Sequence, residues 1–188
     1  EPGDQIKIVN LTKNTNSVRI VLQSIQKGQY LSRDDFDFRI QDHNGNMNYD
    51  NTLAACEQMT YHAWAISEIS ADVDAEVDDD VHKKIPTRAA DSTSTAVMAE
   101  LTIGRLMVEN EPKLVVYNKT SEALVLSIPL KDYALMVKGY GYSHWSDQEY
   151  LDRQDNFTMT FFLDELGTWI ASYVIINDWK IVLQGTEL

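Results

Sequence analysis

Residues 148–164, QEYLDRQDNFTMTFFLD, change character halfway along. A polar run with Glu149, Asp152, Arg153 and Asp155 gives way to a strand-like alternation in which Phe157, Met159, Phe161 and Leu163 share one face. Two carboxylates three residues apart, beside an arginine and near His144, have the raw material of an acid/base site. They are equally the polar turn that feeds a buried strand. The choice decides between a catalytic cleft and a filled β-sandwich.

The same alternation runs through the chain. In SVRIVLQSI, Val18, Ile20 and Leu22 share a face opposite Arg19 and Gln23; Phe36, Phe38 and Ile40 alternate with Asp35, Asp37, Arg39 and Gln41. Burying each of these apolar side chains contributes about 1.5–3 kcal/mol, more than local propensity can. HNGN at 43–46 predicts a hairpin-type turn. Further strands are predicted at 58–67, 96–110, 113–119 and 122–130, then in NFTMTFFLD, TWIASYVIIN and DWKIVLQG, joined by turns at 165–168 and 177–178. The 96–110 run changes phase near Gly104, which predicts a bulge. Helical spacing is confined to 130–139 and 146–154, where Ser146 and Glu149 form a capping box. Residues 70–95 nearly lack large apolar side chains and predict a flexible acidic loop. The fold class expected is all-β: an antiparallel Greek-key sandwich, 1–188 as a single domain, with one or two short helices.

Composition limits function. At 188 residues, 44% of them hydrophobic, the chain can bury a substantial core. A formal charge of -13 repels phosphate backbones and anionic lipid, so neither nucleic acid nor direct membrane insertion is expected. No apolar run approaches the eighteen or so residues of a membrane helix. Cys56 is the only cysteine, so no internal disulfide forms. The chain opens on EPGDQ without methionine, as a mature form or excised fragment does.

Chemistry finds little to build on. Glu149 and Asp152 lie on one helical turn, whereas glycoside hydrolysis needs carboxyls on both sides of the sugar. The histidines 43, 62, 82 and 144 have no zinc spacing, and Ser143 beside His144 makes no triad by adjacency. The acidic run 72–80 has no EF-hand glycine, and in DHNGNMNYDN (42–51) Gly45 lies fourth instead of sixth. No catalytic residue, cofactor or metal is expected. GYGYSHW (139–145) carries Tyr140, Tyr142 and Trp145, which either contact a partner or glycan or fold over the end of the sandwich.

Several segments, in order, carry a family resemblance: LTKNTNSVRIVL (11–22), DDFDFRIQDHNGNMNYDN (34–51), GRLM (104–107), SIPL (127–130), QEYLDRQDNF (148–157), FFLD (161–164) and IINDW (175–179). Together they resemble the FimB-type fimbrial anchor proteins, the fimbrillin-associated lipoproteins of Bacteroides and Porphyromonas relatives. TYHAW (60–64) is similar to that family's Tyr-x-Pro-Trp segment, with Ala63 in place of proline. The resemblance implies two transthyretin-like sandwiches in tandem, of which this chain is the second. It also implies a lipidated cysteine outside the fragment and residence at the outer membrane or cell surface. The implied partners are other fimbrial subunits and the protein's own amino-terminal domain. The function implied is a structural one: anchoring the fibre and limiting its length, with subunits joined by β-strand complementation. A carbohydrate- or protein-binding adhesin domain using 139–145, with calcium at 42–51, is the alternative.

Overall fold

A computed structural model describes residues 13–26, 28–71 and 94–183. Among the described residues ten strands form two sheets. In chain order they are β1 (Thr15–Ser24), β2 (Phe36–Asp42), β3 (Met59–His62), β4 (Ala65–Ala71), β5 (Ser94–Gly104), β6 (Lys113–Asn118), β7 (Leu124–Pro129), β8 (Asn156–Leu163), β9 (Tyr173–Ile176) and β10 (Trp179–Val182). Between β7 and β8 lie the helices α1 (Leu130–Met136) and α2 (Asp147–Arg153). The larger sheet runs β10-β9-β8-β1-β5-β4 and the smaller β3-β2-β6-β7. This is the all-β sandwich with two short helices that the alternation predicts.

Period-two patterning places the core between the sheets. Val18, Ile20 and Leu22 of β1, Leu101 and Ile103 of β5, and Phe157, Met159, Phe161 and Leu163 of β8 face inward from the larger sheet. Phe36, Phe38, Ile40, Leu114, Val116, Leu126 and Ile128 face them from the smaller one. Leu130, Tyr133, Ala134 and Val137 from α1 and the turn after it, with Tyr150 and Leu151 from α2, join the same core. Neither helix amounts to a layer of its own; each is a short apolar plug laid against sheet side chains.

One strand pair departs from antiparallel. β1 and β8 run parallel, Val18 against Phe157 and Ile20 against Met159, while β1 pairs antiparallel with β5 on its other side. The polar turn at 148–155 thus delivers β8 into register beside a strand from the opposite end of the sequence.

The structure corrects four local expectations. Residues 58–67 are two strands: β3 pairs with β2 and β4 with β5, so the chain changes sheet at Ala63–Trp64. HNGN is no tight hairpin. It opens a long connection, 43–58, in which Asn44 is buried and an added Cβ on Gly45 would lie 2.8 Å from Met59 Cγ. No bulge occurs at Gly104; β5 ends there, and the phase change reflects a strand terminus with Leu106 and Met107 turned into the interior. A register irregularity lies instead between Val116 and Tyr117. Finally, β9 takes only Tyr173–Ile176 of the 168–177 run, the preceding Trp169 making an isolated bridge to Leu163. The loop expected at 70–95 falls mostly outside the described residues, though Ser70–Ala71 and Ser94–Thr95 at its ends are paired strand.

The turn at 177–178 is as expected. Asn177 and Asp178 have φ of 47° and 68°, and Ile176 pairs with Trp179, the geometry of a two-residue hairpin that follows the sheet's twist.

Candidate functional site

The residues of the opening stretch separate on folding. Ser146 caps α2, its Oγ accepting from Glu149 N at 3.2 Å. Glu149 reaches forward one turn to Arg153, with Arg153 Nε donating to Oε1 at 3.0 Å, both side chains exposed to solvent. Arg153 also lies over the Trp145 ring, 4.8 Å from its centroid. His144 packs beside Trp145 instead of facing a carboxylate.

Asp152 points the other way, into the protein. Arg105 Nε donates to Asp152 Oδ1 at 2.7 Å and Arg105 Nη2 to Oδ2 at 2.6 Å, a two-point guanidinium–carboxylate pair. Arg105 Nη1 donates to Asn51 O at 2.9 Å, and Gln148 Nε2 donates to both Asp152 Oδ1 and Leu106 O. Neighbouring side chains extend this into a seam. Asn16 accepts from Leu106 N at 2.9 Å and donates to Gln154 O at 2.9 Å. Asn44 donates to Arg105 O at 3.2 Å and accepts from Tyr61 Oη at 2.7 Å. Lys131 donates to Val108 O and Glu111. Four segments distant in sequence, around 16, 44, 105 and 152, are therefore tied together by buried or half-buried polar groups. Each group finds a partner that water would otherwise supply.

Asp42, like the Trp169 indole N–H elsewhere in the core, is not fully satisfied. It is buried; Oδ1 accepts from His43 N at 2.7 Å and from Asn110 at 3.0 Å, but Oδ2 has no partner. Burial pushes its carboxyl above the ordinary value, against the opposing pull of those two donors. The other carboxylate of the 42–51 stretch, Asp50, accepts from the Thr52 backbone and hydroxyl, which holds its pKa low. Among the described residues no three His, Cys, Asp or Glu side chains come together to hold a metal. The acidic run 72–80 lies outside the described residues.

The 139–145 aromatics are brought to one end of the sandwich. Tyr140 stacks on Trp179 from β10, centroids 5.0 Å apart and planes within 5°. Tyr142 stacks on Trp145 at 4.9 Å and tilts against Tyr150 at 5.5 Å. Tyr150 in turn meets Phe157, and its hydroxyl pKa is pushed up to about 12, chiefly by burial and then by Tyr142. Of the three, only Tyr142 remains exposed, at 38%; Tyr140 and Trp145 are half-buried against the core.

Sequence reasoning missed the Arg105–Asp152 pair. The available signal was an arginine inside the apolar run IGRLMV, which requires a paired carboxylate once buried.

Among the described residues no helix is long and apolar enough to cross a membrane. The description "Fimbrillin-A associated anchor proteins Mfa1 and Mfa2" belongs to a family model that matches residues 1–185. A candidate adhesin of Bacteroides thetaiotaomicron is similar at 34% identity, over 92% of this chain and 53% of its own, with a TM-score of 0.77. A candidate polysaccharide-binding protein of the same organism is similar at 26% identity, over 94% and 53%, with a TM-score of 0.70. The fimbrial anchor protein Mfa2 from Porphyromonas gingivalis, 17% identical over 93% and 50%, shares the fold at a TM-score of 0.60. This chain spans about half the length of each of these proteins. No curated protein is similar to it at a significant level. By a match that runs along almost its whole length, the chain belongs to the family of fimbrillin-A associated anchor proteins Mfa1 and Mfa2.

Proposed function

We propose that this chain is a non-enzymatic structural domain of a bacterial surface fimbria. It is the second sandwich of a longer protein that anchors the fibre at the outer membrane and limits its length. The observation that carries the reading is the family match over residues 1–185. The interior supports it. Asp152 and Glu149 of the opening polar stretch are paired with Arg105 and Arg153, and the space between the sheets is filled by side chains. Lipidation occurs on a cysteine outside this sequence, and an amino-terminal domain and the fibre's other subunits are the partners. Assembly proceeds by donation of a strand to an open sheet edge. A suitable edge is β7, the last strand of the smaller sheet, where Leu124 is 55% exposed. Removing the gene region for this domain from the parent cell is expected to shed fibres into the medium and lengthen those retained. Normal retention with normal length rejects the proposal.

A second reading, a tip-type adhesin, draws on Tyr142, whose exposed ring is backed by Trp145 and Tyr140 nearby on Trp179. Here the three aromatics are a contact surface for a partner protein or glycan. Tyr142→Ala is then expected to abolish cell-surface adhesion while leaving fibre retention unchanged; adhesion equal to that of the parent chain rejects it.

A further inference from the structure

The outer face of the larger sheet has a groove of about 370 Å³ that none of the preceding readings uses. Its floor is the backbone of three adjacent strands, β5, β1 and β8, around Leu101, Val18 and Phe157. Its polar wall is made of outward-facing side chains: Ser17 and Arg19 from β1, Glu100 from β5, and Asn156 and Thr158 from β8. The remaining wall is Trp64, at the point where the chain changes sheet.

Trp64 is unusual within this molecule. The other tryptophans, Trp145, Trp169 and Trp179, pack against the core, whereas Trp64 is 67% exposed. Its backbone is held, because Trp64 N donates to Glu100 O at 3.0 Å. The indole is therefore a flat apolar surface, anchored through its backbone, beside a row of donors and acceptors. Glu100 is held as well: Arg19 Nη2 donates to Glu100 Oε1 at 2.6 Å and Nε to the same oxygen at 3.2 Å. One carboxylate oxygen, the remaining guanidinium N–H groups, an amide and two hydroxyls are left to face a ligand.

These features restrict the ligand. β1, the central strand of the floor, is paired along the groove with β5 on one side and β8 on the other, so an extended peptide cannot pair with it there. Recognition over the middle of the groove therefore comes through side chains. Arg19 and Glu100 cancel each other's charge, and the chain carries a net -13, which disfavours polyanions. An apolar platform with planar hydrogen-bonding groups and no net charge matches a neutral pyranose: its C–H face lies on the indole and its hydroxyls meet the polar row. The volume falls within the range of about 300–1,000 Å³ for small-ligand sites. We infer that the groove of Trp64, Arg19, Glu100, Asn156 and Thr158 is a binding site for neutral saccharide, separate from the 139–145 aromatics.

The test is titration of the full chain with neutral gluco-, galacto- and manno-oligosaccharides, and with heparin and polygalacturonate as anionic controls. Binding is followed by calorimetry and by tryptophan fluorescence. At least one neutral oligosaccharide is expected to bind and shift the emission of Trp64. Trp64→Ala is expected to weaken binding about tenfold or more at unchanged Tm, with Trp64→Phe retaining part of it. Glu100→Gln is expected to weaken binding severalfold, and Tyr142→Ala to leave it unchanged. The inference is overturned by no binding across the neutral panel, by binding that Trp64→Ala leaves intact, or by preference for the anionic polymers.

Discussion

Arg105 and Asp152 are joined by two hydrogen bonds, of 2.7 and 2.6 Å, linking the residue just after β5 to the last turn of α2. The arginine side chain is only 10% exposed and the aspartate 25%. A pair this dry contributes less through attraction than through the cost of losing one member, because the survivor stays buried and uncompensated.

Removal of one partner is therefore expected to be costly. Arg105→Ala should lower unfolding free energy by about 3–5 kcal/mol, and Asp152→Asn by about 2–3 kcal/mol. The double variant Arg105→Met, Asp152→Leu should recover much of the loss. Urea denaturation measures all three, and single-variant losses under about 0.5 kcal/mol would contradict a structural role for the pair.

The neighbouring ion pair gives the contrast. Arg153 and Glu149, one turn apart on α2, have side chains 57% and 41% exposed. Glu149→Ala is expected to cost well under about 1 kcal/mol, and most of that should vanish in high salt. The same urea series, run with and without added sodium chloride, checks it.

Gly104 is held open by its neighbours. An added Cβ would lie 2.9 Å from Tyr61 Oη and 3.0 Å from the Asn44 side chain, the two groups whose hydrogen bond closes the polar seam. Gly104→Ala is expected to destabilise by about 1–3 kcal/mol. At Gly139 nothing lies within 4 Å of the added atom. Gly139→Ala should change the melting temperature little, and equal effects at the two sites would refute the packing argument.

Asp42 supplies a pH dependence. Burial raises its folded-state pKa above the unfolded value, so the fold favours the protonated acid. This contribution is fully present below the unfolded pKa and is lost as pH rises through the folded one. Asp42→Asn does not ionise. The stability of the parent chain relative to that variant is therefore expected to decline from about pH 4 upward, then level off. Paired urea melts between pH 3.5 and about 7 read this directly. A difference that is flat, or that grows in the parent's favour with pH, would refute it.

What the sequence reveals divides by range. Phe36, Phe38 and Ile40 announce their strand because one face is dry and the other wet, and the alternation is local. The 177–178 turn is legible for the same reason: Asn and Asp tolerate positive φ. Residues 58–67 look like one strand because nothing in TYHAW shows that the halves on either side of Ala63–Trp64 pair with different sheets. The supposed bulge at Gly104 fails similarly, since a strand end and a bulge both shift the apolar phase. The Arg105–Asp152 pair and the Tyr140–Trp179 stack join residues far apart in the chain, and no periodicity encodes them.

The side-by-side placement of β1 and β8 has a consequence for biogenesis. β1, which must wait for residues 156–163 before its second edge is satisfied, cannot complete this sheet until those residues have been synthesised. During that interval it presents an unsatisfied, apolar-faced ribbon, open to pairing with other nascent copies.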